Sequence, residues 1–335
     1  MIDFKRIQKS IHLPREWDEL ANNYFQQINF LLHAEKYNPC QQRYYCCTDN
    51  GKLVSAAIVY TLQIDLLTFV KIKSPLKMTI VGIPCSVSSK GIFGNSSAVE
   101  VLKKHICKVE KGFILFLNLE EKPAGGSLAS GKTLPTIMLK NHFLTWDDYL
   151  TALRSNYRRR LIRIDQNYRD LRFEKKLCSA FTDTMYRQYL EVYKRSRGKL
   201  EKLNFDFFKY LPQEFILTLC CKSETIIGWN IALENQGIYY FFLGGIDYKQ
   251  NKNCNTYLRL LSNIVKDGID NKSKVIELGQ TAEIAKMRMG GKPETLYMQA
   301  YHSNFIVNIL IKSLSSLLEY KKKLEKTNAL KGGKV

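Results

Sequence analysis

The sequence has no apolar run near the ~20 residues that span a bilayer; "GFILFLNL" is far too short. No membrane-spanning helix is expected from it. The N-terminal "MIDFKRIQKSIHLPREWDEL" lacks an apolar h-region, so it does not read as a secretory signal. There is no CxxC, and no cysteine–histidine cluster has metal-ligand spacing. The nine cysteines, an odd number, include the adjacent pairs Cys46–Cys47 and Cys220–Cys221 inside strand-like runs. They read as buried thiols of a cytoplasmic protein in a reducing compartment, with no metal expected. Acidic residues are also scarce, 31 against 51 basic ones, for a net charge of +20. An excess of that size draws anions: nucleic acid, an acidic membrane, or a phosphate-bearing small molecule. A solvated basic surface is the plainer reading, and charge alone does not choose.

What is present suits a folded chain. The 335 residues are 45% hydrophobic, enough for one large domain or two ordinary ones. Helical signals run to about Asn38. "RYYCCTDNGKLVSAAIVYTL" then reads as a hairpin around Asp49-Asn50-Gly51. The strand "MTIVGIPCSV", the Gly/Ser loop "SSKGIFGNSS", the amphipathic helix "AVEVLKKHICKVEKG" and the buried strand "FILFLNL" follow. A Gly/Pro-rich loop leads to a strand "TIMLKN". The second half repeats this order: hairpin "EFILTLCCKSETIIGWNIALE", strand "GIYYFFLGGID", polar loop "YKQNKNCN", helix "TYLRLLSNIVKDGIDN", strand "KVIELG". No residue-level identity links the halves, so the repeat is architectural and predicts two similar α/β domains. Between them Leu153, Tyr157, Leu161, Ile164, Tyr168 and Leu171 fall on one helical face, with Arg158, Arg159, Arg160, Arg163 and Arg169 over the rest. "NFIVNILIKSLSSLLEYKKKLEK" predicts a long C-terminal helix, and "TNALKGGKV" a frayed tail.

Several stretches could carry chemistry. "GSLASGKT", Gly126 to Thr133, satisfies the phosphate-loop pattern, but Pro135 and a strand follow where a helix is required. It reads as a loop rather than an NTPase site. In "SSKGIFGNSS", Gly91 and Gly94 permit close backbone approach, and Ser96 or Ser97 could cap a helix whose N-terminus receives an anion. A plain glycine turn explains the same residues. The arginines from 158 to 163, beside Tyr157, suit phosphate recognition, or form a solvated face.

The most informative stretch is "VIELGQTAEIAKMRMGG". In open α/β sheets ligands gather at the carboxyl ends of strands. Gln280 and Lys286 fall there, with Thr281 as a candidate cap and Gly290, Gly291 and Pro293 ending the helix. Glu277, on the strand, needs a partner if it is buried. An ordinary capped helix with an exposed lysine is the alternative.

In order, "SNYRRRLIR", "FFLGGID", "NTYLRLLSNIVKDGI" and "VIELGQTAEIAKMRMGG" resemble the FemAB-like, peptidoglycan-biosynthesis group of GNAT-type acyltransferases. The likeness covers residues 145–305 best, and its most specific part is "LGQTAEIAKMRMGG"; the first half shares only element order and "GIPCSVSSKG". The resemblance implies two tandem GNAT-like α/β domains, each a mixed sheet flanked by helices. Their extents would be residues 1–144 and 145–325, with a flexible tail at 326–335 and an active site at the shared cleft. It implies transfer of an acyl group from acyl-CoA, or an aminoacyl group from charged tRNA, onto an amine, such as that of a peptide or cell-wall precursor. Lys286 then matches a lysine that would neutralise a phosphate or a developing oxyanion; Gln280 would donate to the same oxygen, and Glu277 would act as base. Tyr157, Arg158, Arg159, Gly244, Gly245, Asn255, Tyr257, Gly91 and Gly94 are the expected binding residues. The chain departs from ordinary GNAT enzymes at "DYKQNKNCNTY", which lacks the glycines of the pyrophosphate loop and disfavours CoA at the second domain.

Overall fold

The computed structural model describes residues 1–38, 40–65, 75–85, 87–123, 126–167, 170–196, 201–325 and 327–332. Tyr168 and Arg169, assigned above to the arginine-rich helix, lie outside the described residues. The chain forms two compact units: Met1–Leu134 with Leu200–Leu203 and Thr295–Lys321, and Pro135–Lys199 with Asn204–Glu294 and Lys322–Val335.

The first unit begins with β1 (Ile2–Ile7), α1 (Glu16–Leu20) and α2 (Ile28–Tyr37). The helical reading of this region therefore fails at β1, which pairs antiparallel to the next strand from Ile2↔Asp49 to Ile7↔Tyr44. A six-residue segment takes its conformation from the edge it joins, not from its own propensity. β2 (Arg43–Asp49) and β3 (Lys52–Asp65) form the expected hairpin. Asn50 at φ 49° and Gly51 at φ 80° make the turn, whose left-handed backbone suits this residue pair. β4 (Pro75–Val81), β5 (Ile92–Gly94), α3 (Ser96–Val109), β6 (Phe113–Leu119) and β7 (Ala129–Lys132) follow. Lys132 thus sits in a strand, and "GSLASGKT" precedes no helix. Lys132→Ala is expected to leave ATP turnover at background, as checked by phosphate release.

The second unit contains β8 (Thr136–Lys140), α4 (Trp146–Ala152), α5 (Ser155–Asn167), β9 (Leu171–Leu177), α6 (Asp183–Arg195) and α7 (Phe205–Lys209). Its second run is β10 (Ile216–Lys222), β11 (Thr225–Asn235), β12 (Ile238–Ile246), α8 (Tyr248–Cys254), α9 (Thr256–Asp270), β13 (Val275–Gly279), α10 (Glu283–Met287) and β14 (Lys292–Glu294). The chain ends with β15 (Tyr297–His302) and α11 (Phe305–Leu318). The single helical face read from Leu153 to Leu171 is interrupted. Leu153 bridges to Leu330, the Arg154 N–H donates to the Ala329 carbonyl, and Leu171 belongs to β9. The same contacts hold residues 327–332 against the second unit, with Ala329 buried, so this stretch is docked and not frayed. The "polar loop" at 248–254 is α8; the Asp247 carboxylate accepts from the Lys249 and Gln250 N–H groups, a cap that its polar composition hid.

The two sheets run β1-β2-β3-β4-β6-β15-β7, with β5 on β3, and β9-β10-β11-β12-β13-β8-β14. Position by position the orders correspond, and each contains one parallel pair, β4 with β6 and β12 with β13, joined through a helix as parallel strands require. In each sheet the strand beside that pair is remote in sequence: β15 lies beside β6, and β8 beside β13. A division at residue 144 would put β8 with the first half and β15 with the second, whereas the contacts assign them the other way. Five or six apolar residues do not encode which sheet edge they join; pairing decides it.

The second core places α9 on the sheet. Leu261, Ile264, Val265 and Ile269 recur on one face and pack with Ile276 and Leu278 of β13. Each such burial contributes roughly 1.5–3 kcal/mol. A side chain at Gly268 would meet Ile276 Cγ1 at 2.5 Å, so glycine lets the helix approach β13.

Candidate functional site

The parallel pairing of β12 and β13 is short: Ile238↔Val275, Tyr239↔Ile276 and Tyr240↔Glu277. Beyond it β12 continues to Ile246 against β11 alone, and β13 turns to β8. The strands part at Phe241 and Gly279, and the side chain of Lys286 enters this fork. Gly279, Thr281 and Ala282 have φ of 73°, 61° and 48°. These left-handed residues fold α10 back over the strand end, at a strain concentrated where function commonly lies. Thr281 is therefore not the cap; Ala282 is the N-cap residue and offers no side-chain bond.

Lys286 is 3% exposed. Its Nζ donates to the Gln280 carbonyl at 2.6 Å and lies 5.6 Å from the centre of the Phe241 ring. Burial pulls its pKa down to about 7, against the opposing pull of Glu283 and Glu277. Glu277, also buried, accepts from the Thr136 hydroxyl at 3.1 Å, and Glu283 accepts from Lys322 Nζ at 2.9 Å. Gln280 thus meets Lys286 through its backbone oxygen.

A cavity of about 340 Å³ lies on the other side of α10. Tyr157 and Arg160 of α5, Asn251 of α8, Asn255, Tyr257 of α9, Ile284 and Ala285 of α10, and Arg288 line it. Of the expected binding residues, Tyr157, Asn255 and Tyr257 meet here. Arg158 and Arg159 do not line it; Arg160 does, because the helix turns about 100° per residue. Arg160 and Arg288 make no ion pair with a described residue, so both guanidinium forks are available to an anion. Arg288 stands in the same stretch as Lys286, but its nearness to Arg160 is set by packing and not by position in the sequence. Asn230 of β11 and Thr256 in the first turn of α9 are likewise new. Both are fully buried, and neither the Asn230 amide nor the Thr256 hydroxyl has a partner among the described residues. An unsatisfied buried polar group costs about 1–3 kcal/mol, and neither of these two residues lines the cavity.

A side chain at each of the candidate glycines would crowd the chain itself. A Cβ on Gly245 would lie 2.5 Å from the Trp229 indole nitrogen, and one on Gly244 3.0 Å from the Trp229 carbonyl. A Cβ on Gly91 would lie 2.2 Å from the Gly82 nitrogen, and one on Gly94 2.4 Å from the Val54 carbonyl. The glycines at 91 and 94 thus permit close approach of paired backbone segments. Neither Ser96 nor Ser97 caps α3: Asn95 holds the N-cap position, without a side-chain bond.

No protein family matches the sequence, and no curated protein matches it. Solved structures do. FemX is 11% identical, with 92% of this chain and 100% of that chain aligned and a TM-score of 0.55. The C-terminal domain of a putative lysylphosphatidylglycerol synthetase from Agrobacterium fabrum is 11% identical over 90% of this chain and 94% of that one, with a TM-score of 0.52. A tandem GNAT protein from the clavulanic acid biosynthesis pathway is 8% identical over 91% and 99%, with a TM-score of 0.50. The chain therefore has the tandem GNAT-like fold, two mixed sheets flanked by helices, in common with FemX and its structural relatives.

Proposed function

We propose that this protein transfers an acyl or aminoacyl group from a phosphate-bearing donor, acyl-CoA or aminoacyl-tRNA, to an amine. The observation that carries this reading is the pairing of Arg160 and Arg288 at the cavity beside α10, with a buried lysine at the strand fork on the other side. The likeness in fold to FemX and to a tandem GNAT protein supports it. Two guanidinium groups bind phosphate oxygens bidentately, and Tyr157 and Tyr257 offer aromatic faces to a base or a pantetheine arm.

In the proposed reaction the amine nitrogen attacks the thioester or ester carbonyl. A C–N bond forms, the C–S or C–O bond breaks, and the thiol or ribose hydroxyl leaves with a proton. The Lys286 ammonium stabilises the oxyanion that develops on the way, with Gln280 beside it. Glu277, or solvent, takes the proton from the attacking amine. No covalent enzyme intermediate is required.

Arg160→Ala with Arg288→Ala is expected to weaken donor binding about a hundredfold while leaving the melting temperature unchanged. Calorimetric titration with CoA and with a charged tRNA checks this and distinguishes the donors. tRNA affinity should fall steeply between low and high salt, because each phosphate contact releases counterions. Unaltered affinity in the double variant would remove the cavity from donor binding. Salt-sensitive RNA binding without turnover on any amine would favour a non-catalytic RNA binder on this fold.

A further inference from the structure

Fifteen large apolar side chains stand exposed among the described residues, and five of them lie on α11. Phe305, Ile306, Ile309, Leu310 and Leu314 are 47–76% exposed. Steps of four connect Phe305 to Ile309, and Ile306 to Leu310 and Leu314, so these residues form one stripe. Ile311, on the opposite side, is buried, and the helix packs there on β7 and β15. Asn304 caps its start by accepting from the Val307 N–H, and Asn308 donates to the Ser127 carbonyl, so the stripe is held rigidly outward. A soluble monomer rarely leaves such a stripe uncovered.

The surrounding charge indicates what covers it. Lys312 is exposed at the stripe's edge, and Lys321 is exposed beyond its end. At the other end Lys111 is exposed next to Gly112, whose N–H and carbonyl both bond Ser303, two residues before the helix. Two copies meeting through this face would bring these lysines together on chains that each carry +20. An anionic bilayer accepts both the apolar side chains and the lysines. Fourteen residues make a helix of about 21 Å, too short to cross a membrane but well suited to lie in its interface.

We propose that the outer face of α11 is an interfacial anchor that docks the protein on anionic phospholipid surfaces. Phe305, Ile306, Leu310 and Leu314 enter the acyl-chain boundary, and Lys111, Lys312 and Lys321 meet the phosphate headgroups. This proposal is independent of the transfer reaction.

The test is co-sedimentation of the full chain with vesicles of phosphatidylcholine alone and of phosphatidylcholine mixed with phosphatidylglycerol. Binding to the mixed vesicles in preference to the neutral ones is expected. Ile306→Glu with Leu310→Glu should abolish it, and Lys312→Gln with Lys321→Gln should weaken it about 25-fold, roughly fivefold for each lysine. Circular dichroism and melting should stay unchanged in both variants, because all four side chains are exposed. Failure to bind either vesicle overturns the proposal, as does unchanged binding in the Ile306/Leu310 variant. So does a dimer in analytical ultracentrifugation that this variant dissolves, since the face would then belong to a second copy.

Discussion

Replacing Lys286 with methionine is expected to lower kcat/KM for acyl transfer by about a hundredfold to a thousandfold, the loss typical of one oxyanion donor. The chain should remain folded, because methionine fills the slot between Phe241 and Gly279 without carrying a charge into it. Stability gives a second readout with a defined sign. The lysine's ordinary pKa of 10.5 falls to about 7 in the folded chain, chiefly through burial. Below pH 7 both states hold the proton, and the native state bears the full penalty of a buried ammonium. Between about pH 7 and 10.5 the unfolded chain binds one proton more, so native stability rises with pH; above that window the penalty is gone. The methionine variant should therefore be the more stable protein at pH 6, by roughly a few kcal/mol, and its advantage should shrink toward pH 10. Urea unfolding at three pH values measures this. Activity has its own signature: an oxyanion donor must be protonated, so kcat/KM should decline as pH rises through 7. A rising limb at that pH would make the neutral amine a base, and a fully active folded variant would remove Lys286 from the mechanism.

Gly245→Ala is expected to destabilise the second unit by about 3 kcal/mol, a fall in melting temperature on the order of 10 °C. The added carbon would lie 2.5 Å from Trp229 Nε1 and 2.7 Å from Cε2. Trp229 cannot yield. It is fully buried, its indole N–H donates to the Met185 carbonyl at 3.0 Å, and Phe181 and Phe208 stand edge-on against it. Gly244→Ala should cost less, since its nearest contacts are 3.0 Å to a carbonyl and 3.4 Å to the Phe241 ring. Thermal melts of the two variants, read beside donor affinity, separate packing from recognition. Normal stability with lost affinity in Gly245→Ala would return this glycine to the binding site.

The amino-acid order determined a good deal by itself. Period-two and period-3.6 patterns located both hairpins, α3, α9 and the buried strands, because those segments are long enough for periodicity to register. It also marked "LGQTAEIAKMRMGG" as the unusual end of a strand, and Gly279, Thr281 and Ala282 are left-handed at that end. Tertiary structure decided what local pattern does not carry. β1 is a strand because β2 offers an edge, whereas α8 rests on a local cap, Asp247, that the polar composition of its segment hid. The exchange of β8 and β15 depends on pairings between residues more than 130 positions apart, such as Glu277 with Met138 and Tyr297 with Leu119. The same holds at the site. Arg288 joins Arg160 only when α10 packs beside α5, and Lys286 is buried or exposed according to how the chain turns after Gly279. A sequence lists the groups able to bind an anion; the distance between them and the water around them are properties of the folded chain.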